Sequence, residues 1–353
     1  MQTATGRGAI VKRSLSFFLV PALSLLIVGP ALACTSLSSS NGKRIEEAGF
    51  VSLGGLDQWV TIRGADRANP VLLHVHGGPG FAFSAFTEEF APYEADFTVV
   101  QWDERGAGCT FGRHGAQTPN VTLERLALDG IELAVHLKHR LGKDKIIVLA
   151  HSAGSIIGTE MVKRAPEHFA AYVGAGQFAS FATTVQAQAI YLRRIAETAS
   201  DAELRARLDA IGSLGSPTLQ HFIAINALLN AHAPPDDEAT VQRLQSRMPA
   251  LMKQEELASH RAGQQASVRW LLPGIAATSL VATTPRLAVP FILIQGADDM
   301  FTPTDLAIAY YTGVEAPAKE LVVVQGAGHF PHLTHTRQVL AALVRAARAH
   351  APR

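Results

Sequence analysis

The sequence predicts an α/β fold: a mostly parallel central sheet, flanked by helices and interrupted by a helical insertion. Three observations carry this prediction. Short β-branched and aliphatic runs recur in the first half and again near the C-terminus, each suited to a strand buried on both faces. Longer stretches with apolar residues at three- and four-residue spacing alternate with them, as crossover helices do. From Phe181 to about residue 285 the strand-like runs vanish and only helical patterns remain. A chain of 353 residues has room for one large α/β domain with such an insertion.

The elements follow in order. Arg7, Lys12 and Arg13 precede an apolar run from Leu15 to Val28, and Ala31-Leu32-Ala33 supplies a small-residue cleavage signal. Residues 1–33 therefore read as an export signal rather than a retained span, because two prolines break the run. Cys34 follows the cleavage site, and Ala31 to Cys34 resembles a bacterial lipobox with Ala at the usual Leu position. Acylation of Cys34 and plain secretion both remain open. Residues 34–47 read as a polar tether.

A first core segment, residues 48–180, opens with a hairpin, Phe50–Leu53 and Gln58–Ile62 around Gly54-Gly55. Strand Val71–Val75 runs into His76-Gly77-Gly78-Pro79-Gly80, and strand Thr98–Trp102 into Asp103-Glu104-Arg105-Gly106-Ala107-Gly108. Leu123–Leu141 has helical spacing and closes at Gly142. Ile146–Leu149 is a central strand, Ser152 follows between Ala150, Ala153 and Gly154, and a helix runs from there to Arg164. Ala171–Gly174 is the next strand. Residues 181–285 are the helical insertion, and residues 286–353 complete the core with strands Phe291–Gln295 and Leu321–Val324.

Strand, tight turn, serine and helix make a nucleophile elbow with Ala150 in the first slot of G-x-S-x-G. The small neighbours have a steric cause, since a sharp strand-to-helix turn brings two backbones together. Read alone, Ser152 has a weaker alternative as an ordinary turn or helix N-cap serine. The acid and the histidine must then follow in chain order. Asp299, in Gly296-Ala297-Asp298-Asp299, is favoured over Asp298 by its spacing to Pro303. His329 sits on the glycine loop after the last strand, with His332 and His335 read as surface histidines.

These motifs resemble the α/β-hydrolase fold, and more narrowly the proline iminopeptidase family, which carries H-G-G-P-G and D-Q-R-G-x-G-x-S at these relative places. The resemblance covers roughly Phe50 to Ala175 and Pro290 to His329, and implies that the insertion is a cap over the site. It implies a Ser152–Asp299–His329 triad, with an oxyanion hole from the amides of Gly78 and Ala153, and no metal or organic cofactor. It also implies release of N-terminal residues, proline above all, from short peptides. The family's cap carboxylates bind the substrate's amino group; here Glu197, Glu255 and Glu256 are candidates by sign only. Ala153 stands where the family commonly has Trp, and Glu104 where it has Gln. An esterase or lactonase on the same scaffold is the rival reading, and a non-catalytic ligand-binding protein a third.

Other signals point elsewhere less well. Lys+Arg 31 against Asp+Glu 30 offers no basic surface to nucleic acid, and leaves membrane attachment to the N-terminus alone. Two cysteines build neither a disulfide framework nor a Cys-rich metal site, so Cys109 reads as a small buried side chain. His74 and His76 lie at i, i+2 without a carboxylate at ligand spacing. Gly174 to Ala179 fits a loose G-x-G-x-x-A pattern, but it reads better as a strand end feeding the insertion.

Overall fold

The computed structural model describes residues 34–351, so the expected export signal lies outside the described residues. Among the described residues nine strands form one sheet, in the order β1-β2-β3-β5-β4-β6-β7-β8-β9. Strands β1 (Leu37–Asn41), β2 (Arg44–Leu53) and β3 (Leu56–Gly64) form an antiparallel meander, and β3 joins β5 (Thr98–Asp103) antiparallel. From β5 the sheet continues in parallel through β4 (Val71–Val75), β6 (Ile146–Ser152), β7 (Phe169–Gln177), β8 (Phe291–Gly296) and β9 (Lys319–Val324).

The unbroken apolar runs are the central strands, and both faces of each are covered. In β6, Ile146, Val148 and Ala150 join one apolar cluster, while Ile147 and Leu149 join the other. That is the period of two expected of a pleated strand. Helix α1 (Gly108–His114) follows β5. Helices α2 (Leu123–Leu141) and α3 (Gly154–Arg164) pack on the first face through Leu126, Leu133, Ile156 and Met161. Thr122 caps α2 by accepting the Arg125 amide, and Gly142 ends it in the left-handed region at φ 65°.

Between β7 and β8 the chain is helical: α4 (Phe181–Thr198), α5 (Ala202–Ile211), α6 (Leu219–Ala231), α7 (Pro235–Leu251), α8 (Gln254–Ala276) and the short α9 (Leu280–Thr283). These helices form the cap. Helices α10 (Thr304–Gly313), α11 (Pro331–Thr334) and α12 (Thr336–His350) complete the core, with Val339 and Leu343 of α12 on the second face.

The N-terminal tether is corrected. Leu37–Asn41 pairs with β2 in register from Leu37 opposite Ala48 to Asn41 opposite Arg44, so the segment belongs to the sheet. Its polar sequence hides this, because an edge strand can be held by backbone pairing alone. The cysteines are corrected too. Cys34 and Cys109 form a disulfide, with Cα atoms 5.9 Å apart and a separation of 75 positions in sequence. Cys109 is therefore a covalent tie rather than a small buried thiol. In this form the Cys34 sulfur is also not free to carry a lipid, the alternative left open beside plain secretion. Among the described residues no helix is long and apolar enough to cross a membrane.

Candidate active site

Ser152 ends β6 at φ 56°, a left-handed conformation that a non-glycine residue adopts only where its surroundings enforce it. Three neighbours are glycines because they must be. A Cβ on Gly154 would lie 2.3 Å from the His76 carbonyl oxygen, and one on Gly77 would lie 2.7 Å from the Ser152 Cβ. A Cβ on Gly158 would lie 2.6 Å from that of Ala150, so Gly158 makes the space for the methyl that Ala150 adds to the elbow. The N-cap of α3 is Ala153, and the Ser152 side chain points to a histidine instead.

That histidine is His329. Its Nε2 is 2.8 Å from Ser152 Oγ and its Nδ1 is 2.9 Å from Asp299 Oδ2. Gly176, at φ 58°, lets the ring approach: a Cβ there would lie 3.0 Å from the imidazole. Asp299 is fully buried, and Asp298 faces solvent. Asp299 Oδ1 accepts from the Phe301 and Thr302 amides, and Oδ2 accepts from Gln295 Nε2 at 2.8 Å and Thr302 Oγ1 at 2.7 Å. Such a donor set fixes the carboxylate in direction. Burial alone would lower the His329 pKa. Attraction to Asp299, with its hydrogen bond and a smaller contribution from Asp237, outweighs burial and raises it above the ordinary imidazole value.

Gly78 and Ala153 line the same cavity as Ser152 and His329, as an oxyanion hole at this place requires. The cavity is about 100 Å³ and chiefly apolar. The core contributes Phe81, Phe178 and Phe301, and the cap contributes Phe222, Leu244 and Leu272. No carboxylate is among its lining residues. Of the three cap glutamates singled out by sign, Glu197 and Glu255 are exposed. Glu256 caps α8 by accepting the Lys253 amide.

The Asp103–Gly108 motif is structural. Buried Arg105 pairs with Asp129 at 2.7 Å and donates to the carbonyls of Leu53, Gly54 and Pro119. Asp103 Oδ2 accepts from the Cys109 amide and from Ser84 Oγ. The Gly174–Ala179 pattern is no phosphate loop, since it is the buried end of β7 and the turn that seats His329.

Sequence reasoning missed a histidine cluster. His332, expected at the surface, is wholly buried, its ring centroid 4.4 Å from that of His151 and 5.7 Å from that of His74. His151 Nε2 in turn donates its ring N–H to the His329 carbonyl oxygen at 2.9 Å, which fixes the His151 tautomer. Burial, reinforced by the neighbouring rings, holds His74 and His151 well below the ordinary value and His332 at about 3. Among the described residues no group of three or more His, Cys, Asp or Glu side chains is placed to hold a metal ion.

Comparison with known proteins agrees with this geometry. The family profile of the serine aminopeptidase S33 hydrolases matches residues 66–334. The probable aminopeptidase YbaC of Bacillus subtilis is 25% identical over 305 residues, spanning 85% of this chain and 96% of that protein. Proline iminopeptidase of Mycobacterium smegmatis superposes with a TM-score of 0.59 at 20% identity, covering 86% of this chain and 98% of that one. The 2-hydroxy-6-oxo-6-phenylhexa-2,4-dienoate hydrolase of a Rhodococcus strain superposes with a TM-score of 0.55 at 20% identity, covering 87% and 99%. At such identities the two superpositions establish the α/β-hydrolase fold alone. The match over residues 66–334 establishes more: this chain is a member of the serine aminopeptidase S33 family.

Proposed function

We propose that the protein is a serine hydrolase that works through an acyl-enzyme on Ser152. The observation carrying this reading is the unbroken relay of Ser152 Oγ, His329 and Asp299 at 2.8 and 2.9 Å. His329 accepts the serine proton as Oγ attacks a carbonyl carbon, and Asp299 holds the imidazole tautomer and stabilises the imidazolium. The amides of Gly78 and Ala153 receive the oxyanion, a contact that strengthens only as charge develops. The imidazolium then protonates the leaving group, and water, activated by the same histidine, releases the acyl group.

The substrate on this reading is a short peptide whose N-terminal residue is small and apolar, proline included. The family membership and the Bacillus relative support it. A second reading, an esterase or lactonase for compact apolar acyl groups, is favoured by the carboxylate-free lining of the cavity. A peptide's N-terminal ammonium needs a desolvated anionic partner, whereas an ester needs none. Parallel assays on prolyl-amide and p-nitrophenyl acyl ester substrates decide. Prolyl-amide turnover with a kcat/KM at least equal to the ester's supports the peptidase, and turnover of esters alone supports the second reading. No turnover of either sinks both.

We also propose that the chain is exported. The disulfide at Cys34 supports this, because such bonds persist in oxidising compartments. N-terminal sequencing of protein recovered from the periplasm tests it: a mature start near Cys34 is expected, and an intact Met1 on cytoplasmic protein contradicts it.

A further inference from the structure

The first turn of α7 carries three successive acidic residues, Asp236, Asp237 and Glu238. Acidic residues favour a helix N-terminus and ordinarily stay in water there. Asp237 does not; it is 1% exposed and reaches from the cap into the loop that carries His329. Its Oδ1 accepts the His329 backbone amide, while Asp236 Oδ2 accepts that of Gly328 at 3.1 Å. The approach is close enough to dictate sequence, because a Cβ on Gly328 would lie 2.3 Å from the Asp237 carboxylate. Asp237 Oδ2 is buried and has no hydrogen-bond partner, a costly arrangement for a charged oxygen unless a nearby cation offsets it. The cationic form of His329 is placed to do so.

We propose that Asp237 is a positioning residue for the reaction: it fixes the His329 backbone from the cap and sets a second negative charge beside the imidazolium. The proposal rests on the acyl-enzyme reading and adds that cap and triad form one working unit. Asp299 meets the ring at Nδ1, and Asp237 holds the same residue's main chain from the opposite element. The other titratable neighbours are few. His151 of β6 and His332 of α11 face His329, and Asp236, Asp299 and Tyr191 of α4 face Asp237. Burial pushes Asp237 up to about 7, against the opposing pull of His329, and Asp237 in turn helps to raise His329, so the charges of the two are coupled.

Two substitutions separate the parts of this role. Asp237→Asn keeps an acceptor for the His329 amide and removes the charge. It is expected to move the acid limb of kcat/KM for p-nitrophenyl acetate down by about one pH unit. Asp237→Ala removes the acceptor as well, and is expected to lower kcat roughly ten- to hundredfold with KM changed less than about threefold. A histidine-labelled Ser152→Ala protein supplies a readout that needs no turnover. In it, the NMR titration of His329, assigned by its loss in His329→Gln, is expected to fall when Asp237→Asn is added. An unmoved His329 titration overturns the electrostatic role, and a folded Asp237→Ala enzyme with wild-type kcat overturns the positioning role. If the ester is not hydrolysed at all while the titration still moves, the acyl-enzyme reading fails and the Asp237 charge effect stands.

Discussion

The Ser152 end of the sheet and the helical cap build one cavity by different means. At the sheet, bare glycine backbone is pressed against its neighbours: Gly154 against the β4 end, Gly158 against the Ala150 methyl, and Gly176 against the His329 ring. Each contact forbids a side chain, so it leaves a mark in the sequence. In the cap, Phe222, Leu244 and Leu272 shape the cavity through side-chain packing that many apolar sequences could supply. Chemistry is therefore written at the level of the main chain, and selectivity at the level of replaceable side chains. Substitutions should divide the same way, with rate lost at the sheet and substrate binding changed at the apolar side chains of the cap; Asp237, which holds the His329 main chain, sorts with the sheet.

The largest expected effect is at the elbow. Ser152→Ala should lower kcat by roughly four to six orders of magnitude with the fold retained, and a near-normal rate would end the distinction drawn above. Next comes the acid. Asp299→Asn should favour the wrong imidazole tautomer and cost on the order of 10⁴ in kcat. Asp298→Asn, at a solvent-facing neighbour, should cost little; steady-state kinetics with equal losses at both would break the assignment.

Smaller effects belong to the cap. Leu272→Ala and Phe222→Ala enlarge an apolar wall and remove no reacting group. They should change kcat/KM by roughly 10- to 200-fold, mostly through KM and in favour of bulkier acyl chains. A chain-length series of p-nitrophenyl esters checks this, and a loss confined to kcat would place cap and sheet in the same class.

Most of the core was legible for the reason just given. Strand β4 and helix α2 fall where apolar runs and helical spacing put them, and Asp299 rather than Asp298 meets His329 as the proline spacing indicates. What stayed hidden left no periodic or steric trace in its own stretch of chain. β1 is polar and held by its pairing, and the Cys34–Cys109 bond joins positions 75 residues apart. His332 looks like any histidine until the fold buries it against His74 and His151. Asp237 did leave an indirect trace, the second glycine of Gly326-Ala327-Gly328, whose cause lies far away in sequence.

The smallest expected effect sharpens the comparison from the stability side. His74, His151 and His332 are neutral when folded and have pKa values below that of an unfolded imidazole, about 6.5. Below that pH the unfolded chain binds the extra protons, so stability is full above it and declines as pH falls towards the folded value, about 3 for His332. Urea midpoints should therefore drop between pH 7 and pH 5, by less in His332→Leu than in wild type. An equal drop in both would separate the cluster from acid lability.

The central claim is that Ser152 becomes covalently acylated. Incubation with a fluorophosphonate, followed by peptide mapping, reads this without any assumption about the natural substrate. One adduct per chain on the peptide containing Ser152 is expected, lost in Ser152→Ala and formed far more slowly in Asp299→Asn. No adduct on the folded protein, or an adduct on another residue, would contradict the account.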